Sequence, residues 1–280
     1  MDEARKKLPI GVFDSGVGGI SVLAEMVKHL PREEYIYFAD SLNNPYGTKE
    51  VEEARRLSLQ AADFLVSLGI KALVVACNTA TSVAINQIRE RLAIPVIGME
   101  PAVKPAVEQG RQGTILVMAT PNTLKLDKFN NLLHRFDEGQ NIIPLPCPGL
   151  ADLIEKGNLQ GKIIENYLSQ LFSTIDRRQV CSIVLGCTHY LFIKPEIARL
   201  FGKQVSIIDG NLGTVKQLRR VLQQENILVD SSEEKATDYR QTKIRFYASG
   251  NESEVIALCQ QLLDFAWTNY TNYTKPVGKD

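Results

Sequence analysis

Ala72-Leu73-Val74-Val75-Ala76-Cys77-Asn78-Thr79-Ala80-Thr81 is a short apolar, β-branched run that stops at a small residue, a cysteine, and then amide and hydroxyl side chains. Ser182-Ile183-Val184-Leu185-Gly186-Cys187-Thr188-His189-Tyr190 repeats that design about 110 residues later. Each run reads as a buried parallel strand leading into a helix-like segment. The residue just past its last apolar position sits at the strand's carboxyl end, where open α/β sheets bind ligands. The chain therefore places one thiol at the same topological point twice.

The surroundings of the two stretches repeat as well. Before the first come a strand at Pro9-Ile10-Gly11-Val12-Phe13, the loop Asp14-Ser15-Gly16-Val17-Gly18-Gly19 and a helix with Ile20, Leu23, Val27 and Leu30 at helical spacing. A second strand, Tyr35 to Ala39, a turn-rich loop through Asn43-Asn44-Pro45-Tyr46-Gly47 and an amphipathic helix from Glu50 to Leu68 come next. A fourth strand, Pro95 to Gly98, closes the unit. Before the second come a strand at Thr114 to Ala119, the segment Thr120-Pro121-Asn122-Thr123 opening a helix, a strand at Asn141 to Leu145, and helices bearing Glu155 and spanning Ile163 to Phe172. Val205 to Ile208 is the matching fourth strand. Equal order and near-equal spacing predict a duplicated α/β unit with mainly parallel sheets and right-handed crossovers. After Asp209 a helix, a polar loop from Asp230 to Gln241, a strand at Ile244 to Ala248 and a helix to about Trp267 complete the chain. The polar residues 268–280 are expected to fray.

Composition narrows the function classes. Lys+Arg (32) balance Asp+Glu (32), so no basic excess calls for nucleic acid and no charge block for a membrane surface. No stretch approaches the roughly 18 apolar residues of a membrane span, and the run Ile10 to Phe13 is too short for a signal-peptide core, which predicts a cytoplasmic protein. Five cysteines without paired spacing fit free thiols in a reducing compartment. With no CxxC and three histidines, no metal site is expected.

At the two cysteines, unpaired backbone N–H groups and the positive end of a helix dipole would favour thiolate, a base as well as a nucleophile. Two thiols on opposite domains could face one ligand from two sides. Each alone could equally be a packing residue, since free cysteine is among the most buried residue types. The loop after the first strand is G-x-G-G rather than GxGxxG. It could bind a carboxylate through its N–H groups or merely cap a helix. Asp14 could accept a proton, orient a neighbouring thiol or bind an amino group, and His189 could relay a proton to Cys187. Asn78, Thr79 and Thr188 suit a carboxylate ligand and are equally good helix caps. Cys147, Cys181 and Cys259 read as packing residues.

Taken together, Val12 to Gly19, Pro45-Tyr46-Gly47, Ala76 to Ala80 and Gly186 to Tyr190 resemble the glutamate racemases of the aspartate/glutamate racemase family, in order and spacing from Ile10 to Asp209 and more loosely to Phe265. The resemblance implies two similar three-layer α/β domains, pseudo-symmetric, with the active site in the cleft between them. It implies a discontinuous first domain (1–98 and 209–267) and a second at 99–208. It also implies cofactor-independent racemisation of L-glutamate to D-glutamate for peptidoglycan synthesis, with glutamate as the small-molecule partner and a homodimer as the family's frequent assembly. Cys77 and Cys187 would act on opposite faces of the α-carbon, assisted by Asp14 and His189, with Glu155 a further acidic residue near the second thiol. The substrate-binding set would be Asp14, Ser15, Tyr46, Gly47, Asn78, Thr79, Thr188 and His189, with Thr120 and Thr123. The chain departs from the family at Leu126, Phe129 and Ala248, where hydroxyl side chains are common. Other two-cysteine isomerases, such as aspartate racemase or maleate isomerase, and a non-catalytic amino-acid-binding protein remain alternatives.

Overall fold

The computed structural model describes residues 2–125, 127–136, 141–229 and 235–273. Among them the strands are β1 (Ile10–Asp14), β2 (Tyr35–Ala39), β3 (Ala72–Val75), β4 (Val96–Gly98), β5 (Thr114–Ala119), β6 (Asn141–Pro146), β7 (Val180–Leu185), β8 (Ser206–Asp209) and β9 (Ile244–Ala248). They form two sheets, β4-β3-β1-β2-β9 and β8-β7-β5-β6, with every pairing parallel. Matching β1 to β5, β2 to β6, β3 to β7 and β4 to β8 gives the same strand order in both, so the duplication read from spacing is present in the topology. β9 has no counterpart. It pairs with β2, Tyr37 opposite Phe246, and returns the C-terminal chain to the first sheet.

Strand alternation assigns each sheet two covered faces. In the first sheet Val12, Tyr37 and Val74 point to one face and Phe13, Leu73 and Val75 to the other. In the second sheet Leu116, Met118 and Leu185 share one cluster, and Ile115, Val117 and Val184 the other. The inward faces of both sheets belong to a single buried cluster that also takes in Leu23, Tyr190, Phe192 and Leu263. The two lobes are thus joined by continuous apolar packing behind the strand ends.

At the opposite end of the first sheet, the Lys71 ammonium lies 2.6 Å from Glu33 Oε2, and the two side chains are 0% and 2% exposed. Lys71 also donates to the carbonyls of Lys6 (2.7 Å) and Ile227 (2.9 Å), while Glu33 Oε1 accepts from the Val229 N–H (3.0 Å). The pair clamps chain from both ends of the sequence under β3.

Two local expectations are revised. Helices at Asp2–Lys6 and Val103–Glu108, which carry too few turns for a periodic signal, add to the elements legible in the sequence. The last helix, Glu252–Tyr273, runs through six residues expected to fray. No glycine or proline interrupts that stretch, and Thr268 Oγ1 and Asn269 Nδ2 donate to carbonyls one turn back, at Asp264 (2.9 Å) and Phe265 (2.8 Å). Residues 274–280 of the expected frayed tail, and Leu126, lie outside the described residues.

Candidate active site

Cys77 and Cys187 each lie two residues past their strand, and in both cases the intervening residue is pinned to the neighbouring strand. The Ala76 N–H donates to Phe13 O (2.8 Å) and the Gly186 N–H to Met118 O (2.7 Å). This places both thiols at switch points of their sheets, Cys77 beside the end of β1 and Cys187 beside the end of β5. The two ends face one small cavity of roughly 20 Å³, about the room of a single water. Its wall includes Ser15, Tyr46, Gly47, Cys77, Asn78, Thr79, Thr120, Cys187, Thr188 and His189. Asp14, Thr123 and Glu155 stand behind the wall and hold residues that form it.

Around Cys77 the partners come from its own lobe. Its backbone caps the helix Asn78–Arg91, its sulfur accepts from the Ala80 N–H (3.4 Å), and it shares a hydrogen bond with Ser15 Oγ (3.5 Å). The expectation that the helix N-terminus would lower this thiol's pKa is overturned. Burial, reinforced by the Asp14 carboxylate, pushes it up to about 12, because the desolvation of a residue 6% exposed outweighs the Ala80 and Ser15 contacts. Cys77 is held as a thiol.

Around Cys187 the partners come in a chain. Its sulfur lies 3.6 Å from His189 Nδ1, and His189 Nε2 lies 2.7 Å from Glu155 Oε1. Burial disfavours the imidazolium, but the hydrogen bonds to Cys187 and Glu155 prevail and push His189 well above its ordinary value. As a cation it donates from Nε2 to the carboxylate and from Nδ1 to the sulfur. Cys187 leads into a 3₁₀ segment, Thr188–Ile193, ahead of the helix Lys194–Phe201, so this thiol does not cap an α-helix as Cys77 does.

The glycine loop after β1 spends its N–H groups on the protein's own carboxylates. Gly16 N–H donates to Asp14 Oδ1 (3.0 Å) and Val17 N–H to Glu155 Oε1 (2.7 Å). A side chain at Gly16 would overlap Glu155, and one at Gly18 would overlap His189, so the absent Cβ atoms let the second lobe approach this loop. Asp14 Oδ2 accepts from Thr188 Oγ1 (3.1 Å), which links the first lobe's acid to the second cysteine's neighbour. Burial pushes Asp14 up to about 6, with the His189 cation acting in the opposite sense.

The remaining wall is polar. Thr79, Thr120 and Thr123 form a triangle of hydroxyls at 2.9–3.1 Å. Both side-chain polar atoms of Asn78 are buried without a partner, as is Asn44 Oδ1. Buried amides are rarely left so, and on a cavity wall they mark where a polar ligand would bind. Tyr46 and Gly47 are carried by a loop anchored at Asp40, whose carboxylate accepts from Tyr46 Oη (2.6 Å) and Ser249 Oγ (2.6 Å). Neither Asn44 nor Asp40 stands out in the sequence. Asn44 sits in a turn-rich loop whose composition predicts only a turn, and Asp40 gains its role from the chain just past β9, which arrives about 200 residues later. Of the positions that depart from the family, Phe129 is packed in the outer core of the second sheet, and Ala248 lies opposite Ala39 at the end of β9. Cys147, Cys181 and Cys259 are buried. Among the described residues, no three His, Cys, Asp or Glu side chains are grouped to hold a metal ion, and no helix is long and apolar enough to cross a membrane.

Residues 10–218 match the Asp/Glu/Hydantoin racemase family. A glutamate racemase from Clostridium botulinum is 50% identical over 256 residues, covering 91% of this chain and 97% of the relative. Among solved structures, a glutamate racemase isoform from Bacillus anthracis superposes with a TM-score of 0.78 at 31% identity, covering 92% of this chain and 95% of that one. A glutamate racemase from Francisella tularensis in complex with D-glutamate superposes with a TM-score of 0.77 at 30% identity, covering 92% and 94%. With these likenesses added to two matched thiols on one cavity, the chain belongs to the Asp/Glu/Hydantoin racemase family and is an amino-acid racemase.

Proposed function

We propose that this chain interconverts L- and D-glutamate by a two-base reaction without a cofactor, with Cys187 and Cys77 serving opposite faces of the α-carbon. The observation that carries the reading is the pair of thiols delivered by equivalent strand ends to a single small cavity. The likeness to glutamate racemases, one of them in complex with D-glutamate, selects the substrate.

From L-glutamate, Cys187 takes the α-proton. The C–H bond breaks, its electron pair stays on Cα, and an S–H bond forms on Cys187. Cys77, held as a thiol, gives its proton to the opposite face and becomes the thiolate that starts the reverse reaction. The His189 cation, fixed by Glu155, stabilises negative charge on the Cys187 sulfur. An α-proton of a free amino acid is far less acidic than a thiol, so the carbanion needs preorganised dipoles in a dry site. The Asn78 amide, the hydroxyls of Thr79, Thr120 and Thr123, and the N-terminus of the helix Asn78–Arg91 supply polar groups suited to the carboxylates. Glutamate, with about ten heavy atoms, exceeds a cavity that holds one water, so binding requires the strand ends to part and close again.

We assign the moving parts to residues 1–98 with 209–267 and to residues 99–208, since β9 belongs to the first sheet. The product is read as the D-glutamate of cytoplasmic peptidoglycan synthesis, and the protein as a homodimer. The test is dialysed, cofactor-free protein incubated with L-glutamate and, in parallel, with L-aspartate, monitored by circular dichroism of the amino acid. Loss of the glutamate signal with aspartate unchanged is expected. Racemisation of aspartate alone would overturn the substrate.

A further inference from the structure

We propose that Asn122 is the latch of the cleft, a positioning residue that holds the Tyr46-Gly47 turn of the first lobe against the second. Asn122 lies in the first turn of the short helix Pro121–Lys125, just after β5. Its Nδ2 donates to two backbone carbonyls of the opposite lobe, Tyr46 O at 3.2 Å and Lys49 O at 2.6 Å. Two acceptors facing one amide fix its orientation, because the amide oxygen could bond neither. The carbonyls bracket the one-turn 3₁₀ segment Tyr46–Thr48, in which the Lys49 N–H already donates to Tyr46 O. Asn122 therefore grips the turn as a unit, through backbone and independently of its side chains.

The same turn is pressed against the second lobe nearby. A Cβ on Gly47 would lie 2.6 Å from Thr120 Cβ, and Thr79 of the first lobe bonds Thr120 and Thr123 of the second. Of those hydroxyls, Thr79 and Thr120 stand at the cavity, where an incoming polar ligand can replace the bonds they lose. Asn122 is not on the cavity wall, so its two bonds are broken whenever the turn lifts and re-form whenever it seats. This makes Asn122 a contributor to the opening equilibrium that substrate does not touch. The inference rests on a cleft that opens, and its test requires no turnover, so it stands or fails separately from the choice of substrate.

The experiment compares wild type with Asn122→Asp and Asn122→Ala by alkylation with iodoacetamide, resolved by cysteine with mass spectrometry and without substrate. Asn122→Asp keeps the shape and sets a carboxylate against both carbonyls; Asn122→Ala removes the donor only. Loss of two ordinary hydrogen bonds should raise the open population roughly 5- to 100-fold. Cys77 and Cys187, 6% and 8% exposed, should be labelled faster by that factor, more in the Asp than in the Ala variant. Cys181, buried in the outer cluster of the second sheet beside Thr114 at the start of β5, should stay within about twofold. Rates at Cys77 and Cys187 unchanged in both variants would overturn the proposal. So would an equal rise at Cys181, which signals general loosening. Where Asn122→Asp fails to fold, the Ala variant alone decides by the same comparison.

Discussion

Glu155→Gln tests the chain that links the second thiol to the first lobe. Glu155 Oε1 receives two donors at 2.7 Å, His189 Nε2 and the Val17 N–H, and it lies behind the cavity wall rather than on it. Glutamine is isosteric, and its carbonyl can accept both bonds, so the glycine loop keeps its place. What disappears is the charge opposite an imidazolium in a site where the two side chains are 3% and 15% exposed. Replacing a charged acceptor by a neutral one removes about 1–1.5 kcal/mol. The full attraction between the charges at about 4 Å, with an effective dielectric constant of about 20, sets a ceiling of about 4 kcal/mol. A value of about 2 kcal/mol predicts that kcat/KM falls roughly 30-fold near neutral pH. Enantiomers have equal free energies, so kcat/KM must fall equally in both directions. Burial lowers the His189 pKa while Cys187 and Glu155 raise it, and the cation survives only below the folded pKa. Losing Glu155's charge moves that pKa down, so the alkaline limb of kcat/KM should shift toward lower pH. The assay is D-glutamate formation from L-glutamate, and the reverse, across about pH 6 to 10. An isosteric variant with unchanged melting and kcat/KM within about twofold of wild type at every pH would refute the reasoning.

The same geometry sets four further outcomes. Cys77→Ser and Cys187→Ser should each abolish net racemisation, because a hydroxyl is too weak an acid to replace the thiol; near wild-type turnover in either removes the two-thiol reading. In heavy water, unlabelled L-glutamate should give D-glutamate carrying solvent deuterium at Cα, while recovered L-glutamate stays poorer in deuterium at early times; unlabelled product by mass spectrometry points to one shared base. Asp14, raised from 3.8 to about 6 by burial, holds its proton in the folded state where the unfolded chain has lost it, so stability falls as pH rises through that window. Unfolding free energies of wild type against Asp14→Asn from denaturant titrations should therefore diverge by roughly 2–4 kcal/mol between about pH 4 and pH 7, the variant gaining, and parallel curves would discount the burial of this carboxyl. Lys71→Met should cost about 3–5 kcal/mol by stranding the Glu33 carboxylate, with part recovered in Lys71→Met combined with Glu33→Leu, and a double-variant loss equal to the sum of the Lys71→Met and Glu33→Leu losses would show that the pair is uncoupled.

What the sequence determined by itself is what periodicity and spacing carry. β-branched runs such as Leu73-Val74-Val75 and Ile183-Val184-Leu185 are short, continuous and closed by turn residues, so they read as buried strands wherever they fall in space. Their equal order in two halves identifies the duplicated α/β fold, and the position just past each run locates Cys77 and Cys187. Strand alternation and helix periodicity are local properties, and local properties survive in a linear string. The tertiary structure alone decided what depends on who packs against whom. The β9 strand and Ser249 reach Asp40 from the far end of the chain, and nothing near Asp40 announces them. Local sequence has the helix acidify the Cys77 thiol, which is instead raised to about 12, because burial and the nearby Asp14 carboxylate outweigh what a helix terminus supplies. Asn122 reads in the sequence as an ordinary residue of a helix's first turn. It becomes a contact between lobes only because Tyr46 and Lys49 present their carbonyls to it, 73 to 76 positions away in the chain. Desolvation and long-range hydrogen bonds are set by the closed three-dimensional arrangement, and that arrangement has no local signature.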